Sequence, residues 1–492
     1  MTDVAARDLL GTELREVIRS FEAMGELRHV DEADPHLELG AITEMMALRE
    51  GPALLFDHLP GYAPGYRVLS NLLNCPRRVA ALFGHPSDVG GIALVRAIRE
   101  RFSSLQLIDP VTVSRADFAE ETERGDDVNL LKFPAPFWHE HDGGRYIGTG
   151  CSVIMRDPVD GWVNLGTYRV QVHDERTLGL MVEPAHQGSL IMRRHWESGH
   201  DCPVVLCIGT EPAVLMGSFL AMPWGMSEYG WAGAVVGRPI EVVEGEVTGL
   251  PIPASAELVI EGYVPPPSVE TRIEGPFGET IGYYGSGASE QAVIRVQQVQ
   301  HRRDPIIVGT PPLRPPASSN ASYLFRAANL WTEIERAGVP DVQGVWMHPA
   351  GSSSFLAIIS VRQRYSGHVK NVAQAAMGGR AGGAQLGRFV IVVDDDIDPS
   401  DINQVLWAVS TRCDPETSID VIRNCASNHL DPRLTPEKRA SGDFSAARAV
   451  IDACRPYHWR DRFPRSVGTS PEYQEQILHD WPDLFQTGPQ TH

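Results

Sequence analysis

The chain has 492 residues, and its 63 Asp and Glu side chains outnumber 43 Lys and Arg, which gives a formal net charge of −20. So acidic a protein repels a phosphate backbone, which argues against nucleic acid as a partner. The length and the 42% of hydrophobic residues predict two or three domains, each with a core of its own.

The chain lacks the usual signals for export or membrane insertion. The first residues, MTDVAARDLLGTELREV, have neither the basic start nor the apolar run of a signal peptide. The most apolar long window, residues 203–226, contains Glu211 and three prolines, which is not typical of a membrane span. Seven scattered cysteines without a CxxC pair predict reduced thiols. These features predict a cytoplasmic protein.

The first 120 residues have the pattern of a mixed α/β segment. Apolar spacing predicts helices over 7–24, 39–50 and 86–103 and a strand over 53–56. From 121 to 308 the pattern changes to short apolar runs separated by Gly, Pro and Asp. Predicted strands include 151–155, 167–173, 204–208, 256–261 and 292–297. Such spacing predicts a closed or nearly closed β-barrel or a β-sandwich, and periodicity alone does not separate the two.

Residues 309–322 are rich in proline and predict a linker. Beyond it, alternating patterns predict an α/β layer domain over 323–470 and a helix within the tail 471–492. The expected elements are a helix over 323–337, a strand over 355–361, a helix over 367–377, a strand buried on both faces over 389–393 and a helix from about 400. The fold class is therefore α/β, in the sense of a multidomain α+β protein.

Two stretches contain the residues best suited to catalysis. EGPFGETIGYYG (274–285) contains Glu274 and Glu279, and WVNLGTYR (162–169) contains Arg169. An arginine between two glutamates can keep one carboxylate ionised and leave the other free to hold a proton. A plain ion-pair cluster is the alternative interpretation, and spacing leaves both open.

A metal site is a weaker hypothesis. Asn164, His186 and Glu228 offer an amide oxygen, an imidazole and a carboxylate, which suit Mn²⁺ or Mg²⁺. With 17 histidines in the chain, many such triples exist, and a single histidine is more often a hydrogen-bonded structural residue. The GxGxxG, GxxxxGK[ST] and GxSxG fingerprints of dinucleotide, phosphate and hydrolase sites are absent from the sequence.

Five motifs, taken together, resemble the UbiD family of reversible decarboxylases that depend on prenylated flavin. They are RDPVDGWVNLGTYRVQVH (156–173), EPAHQGS (183–189), GMSEYGWAGAVVGRPIEVV (225–243), EGPFGETIGYYG (274–285) and VVDDDIDPSDINQVLWAVSTR (392–412), in the order of the family. The resemblance implies an N-terminal α/β segment, a flavin-binding split β-barrel, a linker and a C-terminal α/β oligomerisation domain.

The resemblance also implies prenylated FMN as the cofactor, bound through Mn²⁺ and commonly K⁺. By position, Asn164, His186 and Glu228 match the family's metal ligands. The positions that match the lining of the cofactor are Asn164, Leu165, Gly166, Thr167, Tyr168, Arg169, Ala185, His186, Met222 and Pro223. Many relatives have Gln where this chain has Ala185. A basic residue of the C-terminal domain that would contact the phosphate is either Lys370 or Arg380.

The chemistry that the resemblance implies is loss of CO₂ from an acid through a covalent adduct with prenylated FMN. Arg169, Glu274 and Glu279 match the family's Glu-Arg-Glu network, in which Glu279 protonates the substrate carbon and must therefore be neutral at that moment. Burial and the charge of Glu274 favour this neutral form, and Arg169 limits the effect.

The overall pattern resembles the branch that acts on aromatic and heteroaromatic acids of pyrrole, indole, furan or hydroxybenzoate type, in a reaction that runs backwards at high CO₂. Asn320 could hydrogen-bond a ring N–H or hydroxyl of the substrate, or it could be a simple turn residue or a helix cap. Alternatives are an α,β-unsaturated acid, a polyprenyl-hydroxybenzoate, or a catalytically silent scaffold subunit. Implied partners are a flavin prenyltransferase, which supplies the cofactor, and further copies of the chain in a homodimer or larger homo-oligomer.

Overall fold

The computed structural model describes residues 7–485, except 185, 221, 286, 353, 380–386 and 428–429. The N-terminal segment contains α1 (Leu14–Ala23), β1 (Leu27–Asp31), α2 (Glu38–Ala47), β2 (Ala53–Asp57), β3 (Arg67–Ser70), α3 (Pro76–Leu82) and α4 (Gly91–Ser103). The elements that follow, as far as residue 310, are β4 (Val111–Thr112), β5 (Glu121–Arg124), β6 (Arg145–Gly148), β7 (Cys151–Arg156), β8 (Val163–Gly166), β9 (Arg169–Val172), β10 (Thr177–Met181), α5 (Gln187–Glu197), β11 (Cys202–Ile208), α6 (Pro212–Phe219), α7 (Glu228–Val236), β12 (Glu241–Glu244), β13 (Pro251–Pro253), β14 (Leu258–Val264), β15 (Arg272–Glu274), β16 (Ser289–His301) and β17 (Ile306–Gly309).

The C-terminal part contains α8 (Ser322–Arg336), β18 (Val342–Met347), β19 (Leu356–Val361), α9 (His368–Gly378), β20 (Phe389–Asp394), α10 (Ile402–Arg412), β21 (Ile419–Ala426), α11 (Pro436–Ser441), β22 (Ser445–Ala453), α12 (Pro471–Asp480) and α13 (Pro482–Phe485). No helix in the described ranges is long and apolar enough to cross a membrane.

The N-terminal segment is a four-stranded sheet in the order β1-β2-β3-β17, packed with α1 to α4. The buried face of α1 is the predicted one, with Leu14, Val17, Ile18 and Phe21. The prediction that this helix begins at residue 7 was wrong. The side chain of Asp8 accepts a hydrogen bond from the Leu10 backbone N–H at 2.9 Å, and this local turn replaces the first helical turn.

The central sheet has ten strands, which follow the path β6-β9-β10-β16-β14-β11-β7-β8, with β5 and β15 also paired to β16. β16 is 13 residues long and antiparallel to four partners, so it forms the spine of the sheet. The end strands β6 and β8 each pair on one side only within the described chain, and the sheet curls into a half-barrel that is not closed. The predicted split barrel and α/β class are confirmed.

The C-terminal sheet has the order β18-β19-β20-β22-β21. β20 runs parallel to both neighbours, and five of its six residues are buried, as a strand covered on both faces requires. α8 buries the predicted stripe of Leu324, Ala327, Ala328, Trp331 and Ile334. It lies beside α4, where the guanidinium of Arg99 stands 4.9 Å from the ring of Trp331. The C-terminal part is thereby packed directly against the N-terminal segment.

Candidate active site

The half-barrel brings together the two stretches of the sequence that were predicted to contain catalytic residues. Arg169 is the first residue of β9, and Glu274 is the last residue of β15. Gly275 follows with a φ of +81°, a backbone conformation that residues with a side chain rarely adopt. The chain turns sharply at that point. The turn returns Glu279 to the same side of the sheet, within hydrogen-bonding distance of Arg169.

Arg169 bridges the two glutamates. Its Nε and Nη2 donate to the two oxygens of Glu274, each at 2.8 Å, and its Nη1 donates to Oε1 of Glu279, also at 2.8 Å. The Glu274 side chain is fully buried, whereas 15% of the Glu279 side chain is exposed. One carboxylate is therefore fixed by a two-point contact, and the other lies at the more open end of the guanidinium.

Two aromatic residues complete this cluster. Tyr146 donates its hydroxyl to Oε1 of Glu274 at 2.9 Å, and its ring lies 4.0 Å from that of Phe277. Burial raises the pKa of Tyr146 well above its ordinary value, and the charge of Glu274 raises it further, so the hydroxyl remains a donor. Burial lowers the pKa of Arg169, but the bonds and charges of Glu274 and Glu279 raise it by more, so the guanidinium stays charged.

The charges of the cluster have a direct chemical consequence. One guanidinium is shared by two carboxylates, so Arg169 by itself offsets the charge of only one glutamate. A proton on the other carboxyl lowers the negative charge of the cluster. Because Arg169 and Tyr146 already occupy Glu274, Glu279 is the better placed carboxyl to take up and release that proton.

Two of the three predicted metal ligands are in direct contact. Asn164, in β8, donates from Nδ2 to Oε1 of Glu228 at 3.1 Å, and Glu228 opens α7. Burial raises the pKa of Glu228 to about 7, although backbone N–H groups and Asn164 oppose the shift. His186 is connected to Asn164 through Tyr168. The rings of His186 and Tyr168 are 5.9 Å apart, and the Tyr168 hydroxyl donates to Oδ1 of Asn164 at 3.1 Å.

Within the described residues, no group of three His, Cys, Asp or Glu side chains is arranged to hold a metal ion. Only two of the three predicted ligands are of those types, so a metal here would depend on the amide of Asn164. Glu228 is nevertheless an unusual carboxylate. It is 2% exposed, and no Lys or Arg of the described chain forms an ion pair with it.

The predicted cofactor-lining residues differ in burial and in their contacts with this pair. Leu165, Gly166 and Tyr168 are buried, Thr167 is half-buried and donates to the Cys151 carbonyl at 2.8 Å, and the Leu165 N–H donates to Glu228. Ala185 lies outside the described residues. Met222 is buried, whereas Pro223 is exposed.

The sequence analysis missed the role of Gln187, which connects Asn164 to the segment that contains Met222. It accepts from Asn164 at 3.2 Å and donates to the Met222 carbonyl at 3.0 Å. It also missed Tyr146 and Asp142, which lie in the stretch HEHDGGRY at 139–146. A polar run that ends in Asp-Gly-Gly before a strand is a signal that could have drawn attention to them.

The remaining predicted residues lie elsewhere. The Asn320 side chain accepts from the Ser322 N–H at 3.2 Å, which is a turn contact just before α8 and not a helix cap, because the N-cap residue is Ala321 and its side chain forms no capping hydrogen bond. Lys370 forms an ion pair with Asp420 in the C-terminal sheet. Arg380 lies outside the described residues. The substrate role of Asn320 stays a prediction.

Comparison with known proteins places the whole chain in one family. Three family models match in order: the N-terminal, Rift-related and C-terminal domains of 3-octaprenyl-4-hydroxybenzoate carboxy-lyase, at residues 18–98, 110–315 and 321–453.

Solved structures agree over almost the full length. The UbiD-class enzyme HmfF from Pelotomaculum thermopropionicum, in complex with FMN, is 30% identical over 95% of this chain and 100% of its own, with a TM-score of 0.83. Vanillic acid decarboxylase from Sedimentibacter hydroxybenzoicus, in its open form, is 26% identical over 96% and 99%, with a TM-score of 0.83. A 3,4-dihydroxybenzoic acid decarboxylase from Enterobacter cloacae is 25% identical over 96% and 99%, with a TM-score of 0.82. The chain therefore belongs to the UbiD family of carboxy-lyases.

Proposed function

We propose that this enzyme catalyses the reversible, non-oxidative decarboxylation of an aromatic or heteroaromatic carboxylic acid with prenylated FMN, and that Glu279 is the proton donor. The observation that supports the proposal most strongly is the bridge from Arg169 to Glu274 and Glu279. Decarboxylation replaces a C–CO₂⁻ bond by a C–H bond, and the enzyme must hold one proton ready for that carbon.

The residues of the cluster divide this work. Glu274, fixed by Arg169 and Tyr146, keeps the guanidinium charged and immobile. Arg169 in turn orients Glu279 through Nη1, and the partly exposed carboxyl delivers the proton to the substrate carbon. In the carboxylation direction the same carboxylate accepts the proton. The carboxylate of the substrate is an anion and needs Arg169 or a bound cation to offset the acidic field of the protein.

We propose that Asn164, His186 and Glu228 hold a divalent cation. A carboxylate that is 2% exposed, without an Arg or Lys partner in the described chain, is stabilised when a cation supplies the missing charge. Such a cation, Mn²⁺ with K⁺ beside it, would hold the phosphate of the cofactor near β8 and α5. When bound, prenylated FMN supplies an electron sink for the electron pair that CO₂ leaves behind.

The substrate class is inferred from the relatives. Two of the enzymes that align over at least 96% of this chain are named for vanillic acid and 3,4-dihydroxybenzoic acid, which are both aromatic. A silent scaffold is the weaker hypothesis, since the Glu-Arg-Glu bridge and the Asn164–Glu228 contact are intact. The domain limits 1–120, 121–308, 309–322, 323–470 and 471–492, the homo-oligomer and the supply of cofactor by a flavin prenyltransferase belong to the same proposal.

The test is to co-express the chain with a flavin prenyltransferase, purify it without oxygen and record a native mass spectrum. We expect bound prenylated FMN with Mn²⁺, and release of CO₂ from a panel of hydroxybenzoic, pyrrole, indole and furan acids. A protein that binds no flavin, or that loads fully but is inactive on every acid of the panel while turning over a cinnamate, would overturn the aromatic assignment.

A matched pair of variants tests the metal residues. Glu228→Gln keeps the shape of the side chain but removes its charge, and we expect loss of Mn²⁺ and of most bound cofactor from the mass spectrum. Glu211→Gln is the control, because Glu211 is another buried glutamate but has Arg238 as a partner. Equal Mn²⁺ content in both variants would remove Glu228 from the site.

A further inference from the structure

The turn that contains Glu279 is not part of a strand, and residues from other parts of the chain contact it. Within it, the Glu279 N–H donates to the Tyr283 carbonyl at 3.0 Å, and the Gly282 N–H donates to the Glu279 carbonyl at 2.8 Å. These bonds close the turn, but they do not fix its position relative to Arg169. Residues 279–285 lie between the end of β15 and the start of β16.

The first external contact comes from the loop 139–144 of the half-barrel. Tyr284 donates its hydroxyl to Oδ1 of Asp142 at 3.1 Å. Asp142 is 6% exposed, and its other oxygen accepts from the His139 N–H at 3.1 Å, so the acceptor is itself immobile. The same loop contacts the start of the turn, where the Gly143 N–H donates to the Pro276 carbonyl at 2.7 Å.

The second external contact comes from the C-terminal part of the chain. Arg439, in α11, donates from Nη1 to the Gly285 carbonyl at 3.1 Å and from Nη2 to the Asp431 carbonyl at 2.8 Å. Asp431 is fully buried, and its carboxylate binds Arg388 and the hydroxyl of Ser427. Arg439 therefore connects the segment between β21 and β22 to the residue that follows Tyr284.

We infer that Tyr284, held by Asp142, and Arg439 are positioning residues that clamp the Glu279 turn from two domains and fix its carboxyl relative to Arg169. The inference rests on the proposed function. Proton transfer to carbon tolerates little displacement, because the acid must lie within hydrogen-bonding reach of its target. A turn held only by its own two bonds would let Glu279 move with the loop, whereas contacts on both sides restrict it.

The test compares Tyr284→Phe and Arg439→Met with neighbours that make no such contacts. Tyr283→Phe removes the hydroxyl of a side chain that is 62% exposed and forms no hydrogen bond in the described structure. Arg433→Met removes a guanidinium that is exposed and unpaired within the described residues. All four are made in cofactor-loaded enzyme. The measurements are kcat and KM for CO₂ release, deuterium uptake at the ring carbon of the product in D₂O, and amide exchange of residues 275–285.

We expect Tyr284→Phe and Arg439→Met to lower kcat, and the rate at which the enzyme exchanges deuterium into added product, about tenfold, with KM changed less than about twofold. Amide exchange of the turn should rise in both, and the two controls should match the unaltered enzyme. The inference would be overturned if a variant had a lower melting temperature but an unchanged kcat when measured well below that temperature. The contacts would then only stabilise the fold. If the unaltered, loaded enzyme decarboxylates nothing, the proposed function fails. Equal amide exchange in Tyr284→Phe and Tyr283→Phe would separately overturn the clamp.

Discussion

Two clusters of arginine and carboxylate in the described structure differ in their balance of charge. The barrel cluster has Arg169 between Glu274 and Glu279. The C-terminal cluster, at the end of β20, has Asp394 and Asp396 with Arg412 and Arg455. In the described structure, two carboxylates share a single arginine in the first cluster, whereas two carboxylates share two arginines in the second.

The extra arginine changes what the C-terminal cluster can do. Asp394 accepts from Gln363 at 2.8 Å, from Arg412 at 3.1 Å and from Arg455 Nε at 3.0 Å, while Arg412 also binds both oxygens of Asp396. Every charge is matched, so no proton is needed there. Ion pairing alone therefore does not identify a catalytic site, but a surplus carboxylate beside a shared arginine is a reason to look for one.

Replacing the central arginine should produce the largest difference between the clusters. Arg169→Met removes the cation that both carboxylates share, and we expect loss of activity and a fall of about 3–5 kcal/mol in the free energy of unfolding. Arg412→Met should cost less, because Arg455 remains 3.0 Å from Asp394 and 3.7 Å from Asp396. Urea unfolding of both variants measures this. Equal losses would mean that the charge balance does not distinguish the clusters.

The second prediction concerns the surplus carboxylate itself. Glu279→Gln keeps the size of the side chain but removes its transferable proton, so kcat should fall about a thousandfold while the melting temperature stays unchanged. Asp396→Asn is the matched change in the C-terminal cluster and should leave kcat unaltered. Cofactor content, read from the flavin spectrum, must be equal in both. A Glu279→Gln enzyme with ordinary turnover would remove Glu279 as the proton donor.

The sequence allowed prediction of features that are encoded locally. The continuous apolar run of β20 and the helical stripe of α8 depend on neighbouring residues, and both were predicted correctly. β22 (Ser445–Ala453) was missed, because its four alanines give a weak strand signal, although it pairs with β20 in the sheet.

Contacts between distant residues were harder to predict. Tyr146 and Glu274 are 128 positions apart, and no spacing rule connects them. The aspartates after β20 have two different roles. Asp401 caps the next helix, because its side chain accepts from two backbone N–H groups at the start of α10. Asp394 and Asp396 bind Arg412 instead, since a full charge attracts a carboxylate more strongly than a helix terminus does.

A third, smaller effect is expected from the hydroxyl that supports Glu274. Tyr146→Phe removes a buried hydrogen bond to a charged group and should lower the free energy of unfolding by about 1.5–3 kcal/mol, with a modest loss of kcat because Glu274 holds Arg169 less firmly. Tyr263→Phe is the control, since its hydroxyl donates to the neutral Val247 carbonyl at 2.8 Å. We expect it to cost about 1 kcal/mol and to leave kcat unchanged. Identical losses of kcat would show that Tyr146 does not act through the barrel cluster.

The smallest effect should appear at acid pH, in the balanced cluster. Burial tends to raise the pKa of Asp396, but the hydrogen bonds and charges of Arg412 and Arg455 lower it by more, so its folded pKa lies below the ordinary value. The stabilisation is therefore complete above the unfolded pKa of about 3.9, and it is lost as the pH falls through the folded pKa. Melting temperatures between pH 6 and pH 3 should show Asp396→Asn below the unaltered protein at pH 6, with the gap closing towards pH 3. A difference in melting temperature that stays constant over this range would mean that Asp396 contributes through its shape or hydrogen bonds rather than through its charge. The contrast in charge between the two clusters would then rest on Asp394 alone.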